Sequence, residues 1–100
     1  MDRMPNFIVL GSFTQKGIET IKDSPKRLED AKKLSKDLGG ELIEFYYTLG
    51  RYDFVAIMDM PSIDAMMKGA LKTAGAGAVR TETLVAVPAK HAAAEIIKDL

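Results

Sequence analysis

Two strand-like runs joined by Gly50-Arg51 constrain the fold more than any other feature of this sequence. Residues 41–49 (ELIEFYYTL) and 52–60 (YDFVAIMDM) both have the β-branched and aromatic content typical of strands. A two-residue connection that begins with glycine is typical of a tight β-hairpin. The two runs are therefore predicted to pair antiparallel in a fixed register.

This register divides the side chains of the hairpin between two faces of a sheet, because alternate residues of a strand point to opposite sides. One face is predicted to be dry and to lie under helices, and it contains Tyr47, Phe54, Phe45, Ala56, Ile43 and Met58. The other face is predicted to be mixed and to lie opposite the helices, with Tyr46, Thr48, Asp53, Ser12, Arg80 and Glu82.

The remaining elements follow from local signals. Residues 5–13 (PNFIVLGSF) are predicted to form a strand that ends in a turn at TQKG, and residues 78–87 (AVRTETLVAV) to form the last strand. A helix is predicted to start with Ser24 as N-cap and Pro25 in the first turn, and to stop at Gly39-Gly40.

A second helix is predicted from the Ser62 cap to about residue 74, closed by Gly75-Ala-Gly77. A short C-terminal helix over residues 90–100 carries Ala93, Ile96, Ile97 and Leu100 on one side, which we expect to pack on its own or a partner's sheet.

The order β-α-β-β-α-β predicts an α+β, ferredoxin-like fold: a four-stranded antiparallel sheet in the order 4-1-3-2, helices on one face, and a short C-terminal helix. Residues 7–10 and 54–58, in the predicted central strands, are apolar at odd and even positions alike. The sheet face without helices is therefore expected to be covered too, most economically by another copy of the chain. We predict a homodimer or a higher oligomer.

Composition limits the classes of function. The 100 residues suit a single domain over 1–100, and 47% hydrophobic residues indicate a globular chain. Lys plus Arg equals Asp plus Glu at 14 each, so neither a nucleic-acid nor a membrane partner is predicted. The N-terminus lacks signal-peptide features, so we expect a cytoplasmic protein. With no cysteine and His91 as the single histidine, no metal site and no cofactor are predicted.

The predicted topology brings the polar clusters to one end of the sheet. On one hypothesis they form a pocket for a small polar or anionic ligand, with Asp53 as base or acceptor and Arg80 binding the anion. Tyr46 and Thr48 would orient the ligand, and the further candidate ligand-binding residues are Thr14, Lys16, Tyr52, Thr81 and Glu82. The alternative is that Asp53 and Arg80 form a structural ion pair tying the hairpin to the neighbouring strand.

These same stretches resemble the GYD-domain family, through FTQKGI, IKDSPKRL, DLGGELIEFYYTLGRYDFV and VRTETL. The tract that gives the family its name would be Gly50, Tyr52 and Asp53. The chain differs from the family pattern at Ala78, where an Asn is expected, and at Val85, where an Arg is expected.

The resemblance implies a dimeric α/β barrel and no established activity. One hypothesis is therefore a small-molecule-binding protein, which could also be a cofactor-independent enzyme acting on a small polar or anionic compound. The other is a regulatory or assembly module comparable in topology to PII and CutA proteins, without catalysis.

Overall fold

The computed structural model describes residues 6–100 and shows a four-stranded antiparallel sheet in the order β2-β3-β1-β4, which confirms the predicted strand order. The elements are β1 Asn6–Phe13, α1 Gln15–Glu19, α2 Ser24–Asp37, β2 Glu41–Tyr47, β3 Phe54–Asp59, α3 Ile63–Gly75, β4 Val79–Ala86 and α4 Ala89–Glu95. Two 3₁₀ turns accompany them at Ile21–Asp23 and Ile97–Asp99. The predicted first residue of β1, Pro5, lies outside the described residues.

The hairpin has the predicted register, with Tyr46 opposite Val55 and Tyr47 opposite Phe54. The strands end earlier than predicted, so residues 48–53 form the connection rather than Gly50-Arg51 alone. A hydrogen bond of 2.9 Å from Thr48 N to the Asp53 carbonyl continues the pairing into this loop. The loop therefore keeps the register although it is longer than a two-residue turn.

The prediction that Ile43 lies on the dry face under the helices is wrong. An irregularity between Leu42 and Glu44 shifts the register of β2, and it is Leu42 that pairs with Met58. The Ile43 side chain is 47% exposed as a result. An extra residue on one strand moves the side chains beyond it to the other face, which the alternation of apolar residues alone does not reveal.

Two helix starts differ from the prediction. Ser24 has helical φ and ψ angles and is the first residue of α2, so it is not the N-cap; the preceding 3₁₀ turn leads directly into the helix. The predicted turn at TQKG is instead the short helix α1, which Thr14 caps. The Ser62 cap of α3 is confirmed, because its hydroxyl accepts a hydrogen bond of 3.0 Å from Ala65 N.

The core lies between the sheet and helices α2 and α3. Its buried members are Phe7, Val9, Phe54, Ala56, Met60, Ala65 and Met66. The Phe54 ring stacks on Phe45 with ring centroids 5.1 Å apart and lies 5.7 Å from Phe13. A Cβ atom at Gly11, opposite Phe54, would overlap this ring, so glycine is needed for the aromatic cluster to sit flat on the sheet.

The C-terminal helix does not bury its apolar side chains on the chain's own sheet. Ile96 is 49% exposed, Ile97 57% and Leu100 97%. The prediction that these side chains pack on the chain's own sheet is therefore wrong. Their packing on a partner's sheet stays a prediction. Across residues 6–100, no helix has both the length and the apolar character needed to cross a membrane.

Candidate functional site

The candidate site lies where three segments meet at one end of the sheet. Gly11 is opposite Phe54, and Ser12 is opposite Arg80. The end of β1, the 48–53 loop and the start of β4 are therefore neighbours, as the topology predicted. The sequence-predicted site residues divide into those that hold these segments together and those whose side chains are exposed.

Asp53 binds main-chain groups of β1. Its Oδ2 accepts a hydrogen bond of 2.8 Å from Phe13 N, and its own amide donates to the Gly11 carbonyl over 2.7 Å. Within residues 6–100, Asp53 and Arg80 form no ion pair. Asp53 therefore links the hairpin to the sheet through hydrogen bonds to the main chain of β1. The alternative, an ion pair with Arg80, is not formed within residues 6–100.

Thr48 also has its polar group bound inside the fold. Its hydroxyl donates to the Tyr52 carbonyl over 2.6 Å, which closes the loop on itself. The predicted pairing of Thr48 with Asp53 is therefore made by main-chain atoms, and the Thr48 side chain fixes the loop conformation. The proton of the Thr48 hydroxyl is therefore already donated within the loop.

Tyr52 connects the loop to β4. Its hydroxyl donates to Glu82 Oε1 over 2.8 Å. This hydrogen bond to a carboxylate, together with the negative charge of Glu82, raises the pKa of the Tyr52 phenol above its usual value. The pair lies at the surface, so the contact links two segments of the site without burying charge.

Thr14 and Lys16 fasten α1 to the connection between α3 and β4. The Thr14 hydroxyl donates to the Gly77 carbonyl over 2.6 Å and accepts from Gly17 N over 3.2 Å. Lys16 Nζ donates to the Ala76 carbonyl over 3.0 Å, at the C-terminus of α3 where a cation is favoured.

Gly17 is part of the same contact, because a Cβ there would overlap the Ala78 carbonyl oxygen. The FTQKGI segment therefore holds α1 against the connection between α3 and β4.

Arg80 and Tyr46 point to the sheet face without helices, and both are exposed. Among the residues that the structure describes, Arg80 has neither a hydrogen-bond nor an ion-pair partner. Thr81 is not brought to this group, since it pairs with Gly11 and so lies on the helix-covered face. Within residues 6–100, the Arg80 guanidinium is therefore exposed and unpaired.

The sheet face opposite the helices, which we call the open face, has an apolar centre. Its central side chains are Ile8, Leu10, Val55, Ile57 and Leu84. Ser12, Tyr46, Arg80 and Glu82 lie around them. This arrangement agrees with the predicted placement of Ser12, Tyr46, Arg80 and Glu82 on the face opposite the helices.

Sequence reasoning missed two contacts that fix the start of α2. The Ser24 hydroxyl and the Tyr47 hydroxyl are 2.8 Å apart, and Arg27 Nη1 donates to Thr20 Oγ1 over 3.0 Å. Ser24 carried only a helix-cap signal, which gives no information about Tyr47. The Ser24 to Tyr47 contact comes from the packing of α2 over β2, and the Arg27 to Thr20 contact joins α2 to the end of α1.

The sheet order, the helix placement and the open face define an α+β, ferredoxin-like domain. The model of the GYD domain matches residues 7–96. The chain belongs to the GYD domain family, which confirms the resemblance seen in its sequence.

A relative from Thermus thermophilus is named glutamine synthetase and cystathionine beta-lyase binding protein. It is 36% identical to this chain over 86 residues, which cover 85% of the chain and 90% of the relative.

Two solved structures share the fold. A feast or famine regulatory protein from M. tuberculosis, complexed with L-methionine, has a TM-score of 0.65 at 16% identity over 86% of this chain; the chain spans 52% of that protein. The Thermus thermophilus protein TTHA0845 has a TM-score of 0.54 at 23% identity, covering 86% of this chain and 96% of that protein.

Proposed function

We propose that this chain is a homo-oligomeric binding protein, which acts by holding partner molecules and not by catalysis. The observation that carries the proposal is the open face, where the apolar residues Ile8, Leu10, Val55, Ile57 and Leu84 are surrounded by polar ones. A buried apolar centre within a polar rim is the usual anatomy of a protein interface. The occupant we propose is a second copy of the chain, which gives a homodimer.

The state of the polar side chains supports binding over catalysis. Asp53 Oδ2 already accepts from Phe13 N, and the Thr48 hydroxyl already donates to the Tyr52 carbonyl. A general base must reach the proton of a substrate, and here the candidate base stabilises the loop. The name of the Thermus relative, a binding protein for two enzymes, is consistent with a partner-binding role.

The mass of the protein in solution tests the oligomer. We expect wild type at micromolar concentration to have at least twice the monomer mass by light scattering. Leu10→Glu, at the centre of the open face, is expected to shift the mass to that of a monomer, because a charge there would be buried without a partner. Leu71→Glu is the matched control, since Leu71 lies on α3 and is 66% exposed.

A monomeric wild type, or a Leu10→Glu variant with unchanged mass, would contradict the proposal. If Leu10→Glu does not fold by circular dichroism, Leu84→Glu provides a milder test, because Leu84 lies on the edge strand β4 and is 41% exposed.

A second candidate function is the binding of a small anionic ligand at the same end of the sheet. It is favoured by Arg80, an exposed guanidinium with no partner within residues 6–100, which lies on β4 two residues before Glu82, the acceptor of the Tyr52 hydroxyl. In this proposal Arg80 binds the anion, and Asp53 is a positioning residue that holds the loop. Calorimetry with phosphate and succinate tests it: Arg80→Met should weaken binding about tenfold, whereas Arg51→Met in the exposed loop should not.

A further inference from the structure

A cavity of about 250 Å³ lies on the other side of the sheet, between α2 and the C-terminal half of α3. Its floor is formed by the rings of Phe13, Phe45 and Phe54. It is bounded by residues of several elements and has a mouth between the two helices. Cavities of about 150 Å³ lined by apolar side chains bind benzene-sized molecules, so this one has room for a larger small molecule.

The lining is mostly apolar. One wall comes from α2 through Leu28, Ala31 and Leu34, and the other from α3 and the segment after it through Ala76 and Ala78. The small alanine side chains on both walls keep the space open. A smaller cavity of about 80 Å³ shares Ala31 and Leu34 as lining residues, so the apolar space continues along α2.

The mouth is positively charged. Arg27 and Lys72 border the cavity from opposite helices. Within residues 6–100, Lys72 has no hydrogen-bond or ion-pair partner, and Arg27 donates only to oxygens of uncharged groups at Thr20 and Gly17. Asp30 also borders the cavity, but it lies 3.6 Å from Lys26, which offsets its charge.

Ser24 adds a polar group at the start of α2. It is 7% exposed, and its hydroxyl shares one hydrogen bond with the Tyr47 hydroxyl over 2.8 Å. Two hydroxyls that share one bond leave a second donor and further acceptor positions available. The cavity therefore combines an aromatic floor, two cations at the mouth and a hydroxyl pair near its border.

We propose that this cavity is a binding site for a small carboxylate with an aromatic or branched apolar body. The apolar body would lie against the Phe45 and Phe54 rings, since removing apolar surface from water into an apolar pocket is favourable. The carboxylate would lie at the mouth near Lys72 and Arg27. The site is on the face opposite the proposed dimer interface and does not depend on oligomerisation.

The experiment uses the full chain with phenylacetate, indole-3-acetate and 4-methylvalerate as probes, and with 2-phenylethanol as an uncharged counterpart of phenylacetate. We expect at least one carboxylate to bind saturably by calorimetry and to shift the ring signals of Phe45 and Phe54 in NMR spectra. The uncharged counterpart is expected to bind at least fivefold more weakly than phenylacetate.

Two variants locate the site. Ala31→Leu fills the cavity and should weaken binding at least tenfold, whereas Ala74→Leu, the same change at an exposed position of α3, should leave it unchanged. Lys72→Met should remove most of the preference for the carboxylate over the alcohol.

Absence of binding by all three carboxylates would overturn the proposal. Equal binding to Ala31→Leu would place the ligand outside the cavity, and an unchanged preference in Lys72→Met would overturn the assignment of the carboxylate to the mouth. If Ala31→Leu does not fold, the ring signals of Phe45 and Phe54 in the wild-type chain decide the location: unperturbed rings in the presence of a bound probe would overturn it.

Discussion

Asp53 Oδ2 accepts a hydrogen bond of 2.8 Å from the main-chain amide of Phe13, at the end of the strand next to its own. The bond holds the loop of the hairpin against β1, where α1 begins. The same residue also joins β1 through its own amide, which donates to the Gly11 carbonyl. The aspartate of the Gly-x-Tyr-Asp tract is therefore a structural tie between the loop and the central strand.

We predict that Asp53→Ala lowers the free energy of unfolding by about 1.5–3 kcal/mol, because a hydrogen bond to a charged acceptor is lost and the Phe13 amide is left without it. Urea unfolding measures the change. Asp53→Asn keeps a side-chain oxygen as acceptor and should cost less than the alanine variant.

Asp37→Ala is the control, since Asp37 lies exposed at the end of α2, and we expect a change within about 0.5 kcal/mol. Equal stability of Asp53→Ala and wild type, accompanied by loss of ligand binding, would instead favour a direct role of this carboxylate in a ligand site.

Thr14 should matter more for stability than its neighbour Lys16. Thr14→Val removes a hydroxyl that donates to the Gly77 carbonyl and accepts from Gly17 N, so we expect a loss of about 1–3 kcal/mol in urea unfolding. Lys16→Met removes an exposed contact to Ala76 and should cost less than about 1 kcal/mol. The reverse order would show that the cation, not the helix cap, holds α1 in place.

Gly11 and Phe54 should be energetically coupled. Gly11→Ala places a methyl group where the Phe54 ring lies, and overpacking of this kind costs about 1–3 kcal/mol. Phe54→Leu provides space but loses ring contacts to Phe13 and Phe45. The double variant should therefore be more stable than the sum of the two single changes predicts, in a double-mutant cycle. Strict additivity would mean that the ring moves aside at little cost.

The strand order and hairpin register could be predicted because they depend on local signals: a glycine turn, alternating side chains and two helices that end at glycines. Features that depend on tertiary packing could not be predicted from these signals. The register shift at Ile43 leaves the apolar pattern of β2 intact. Ser24 is a residue type typical of helix N-caps, although its hydroxyl contacts the Tyr47 hydroxyl instead.

The position of the candidate site could be predicted from the sequence, but the roles of its residues could not. Asp, Thr and Tyr side chains near a turn are equally compatible with a pocket and with loop-closing hydrogen bonds, and only the positions of Phe13 N and the Tyr52 carbonyl distinguish the two. The cavity between α2 and α3 depends on the spacing of two helices, which hydrophobic periodicity does not specify.

Titration of Tyr52 tests the link between the loop and β4. Its hydroxyl donates to Glu82, and this contact favours the neutral phenol, so the pKa of Tyr52 should lie above the usual value of about 10. Because the pKa is raised in the folded state, the stabilisation is fully present below the unfolded pKa and is lost as pH rises through the folded pKa.

Tyrosine absorbance as a function of pH, with Tyr52→Phe to assign the signal, measures this pKa. Glu82→Gln removes the negative charge and should bring the pKa of Tyr52 down, while Glu95→Gln on α4 should not change it. A Tyr52 pKa that stays the same in Glu82→Gln would mean that the phenol does not donate to Glu82 in solution, and the loop would then be joined to the sheet by Asp53 and β1 alone.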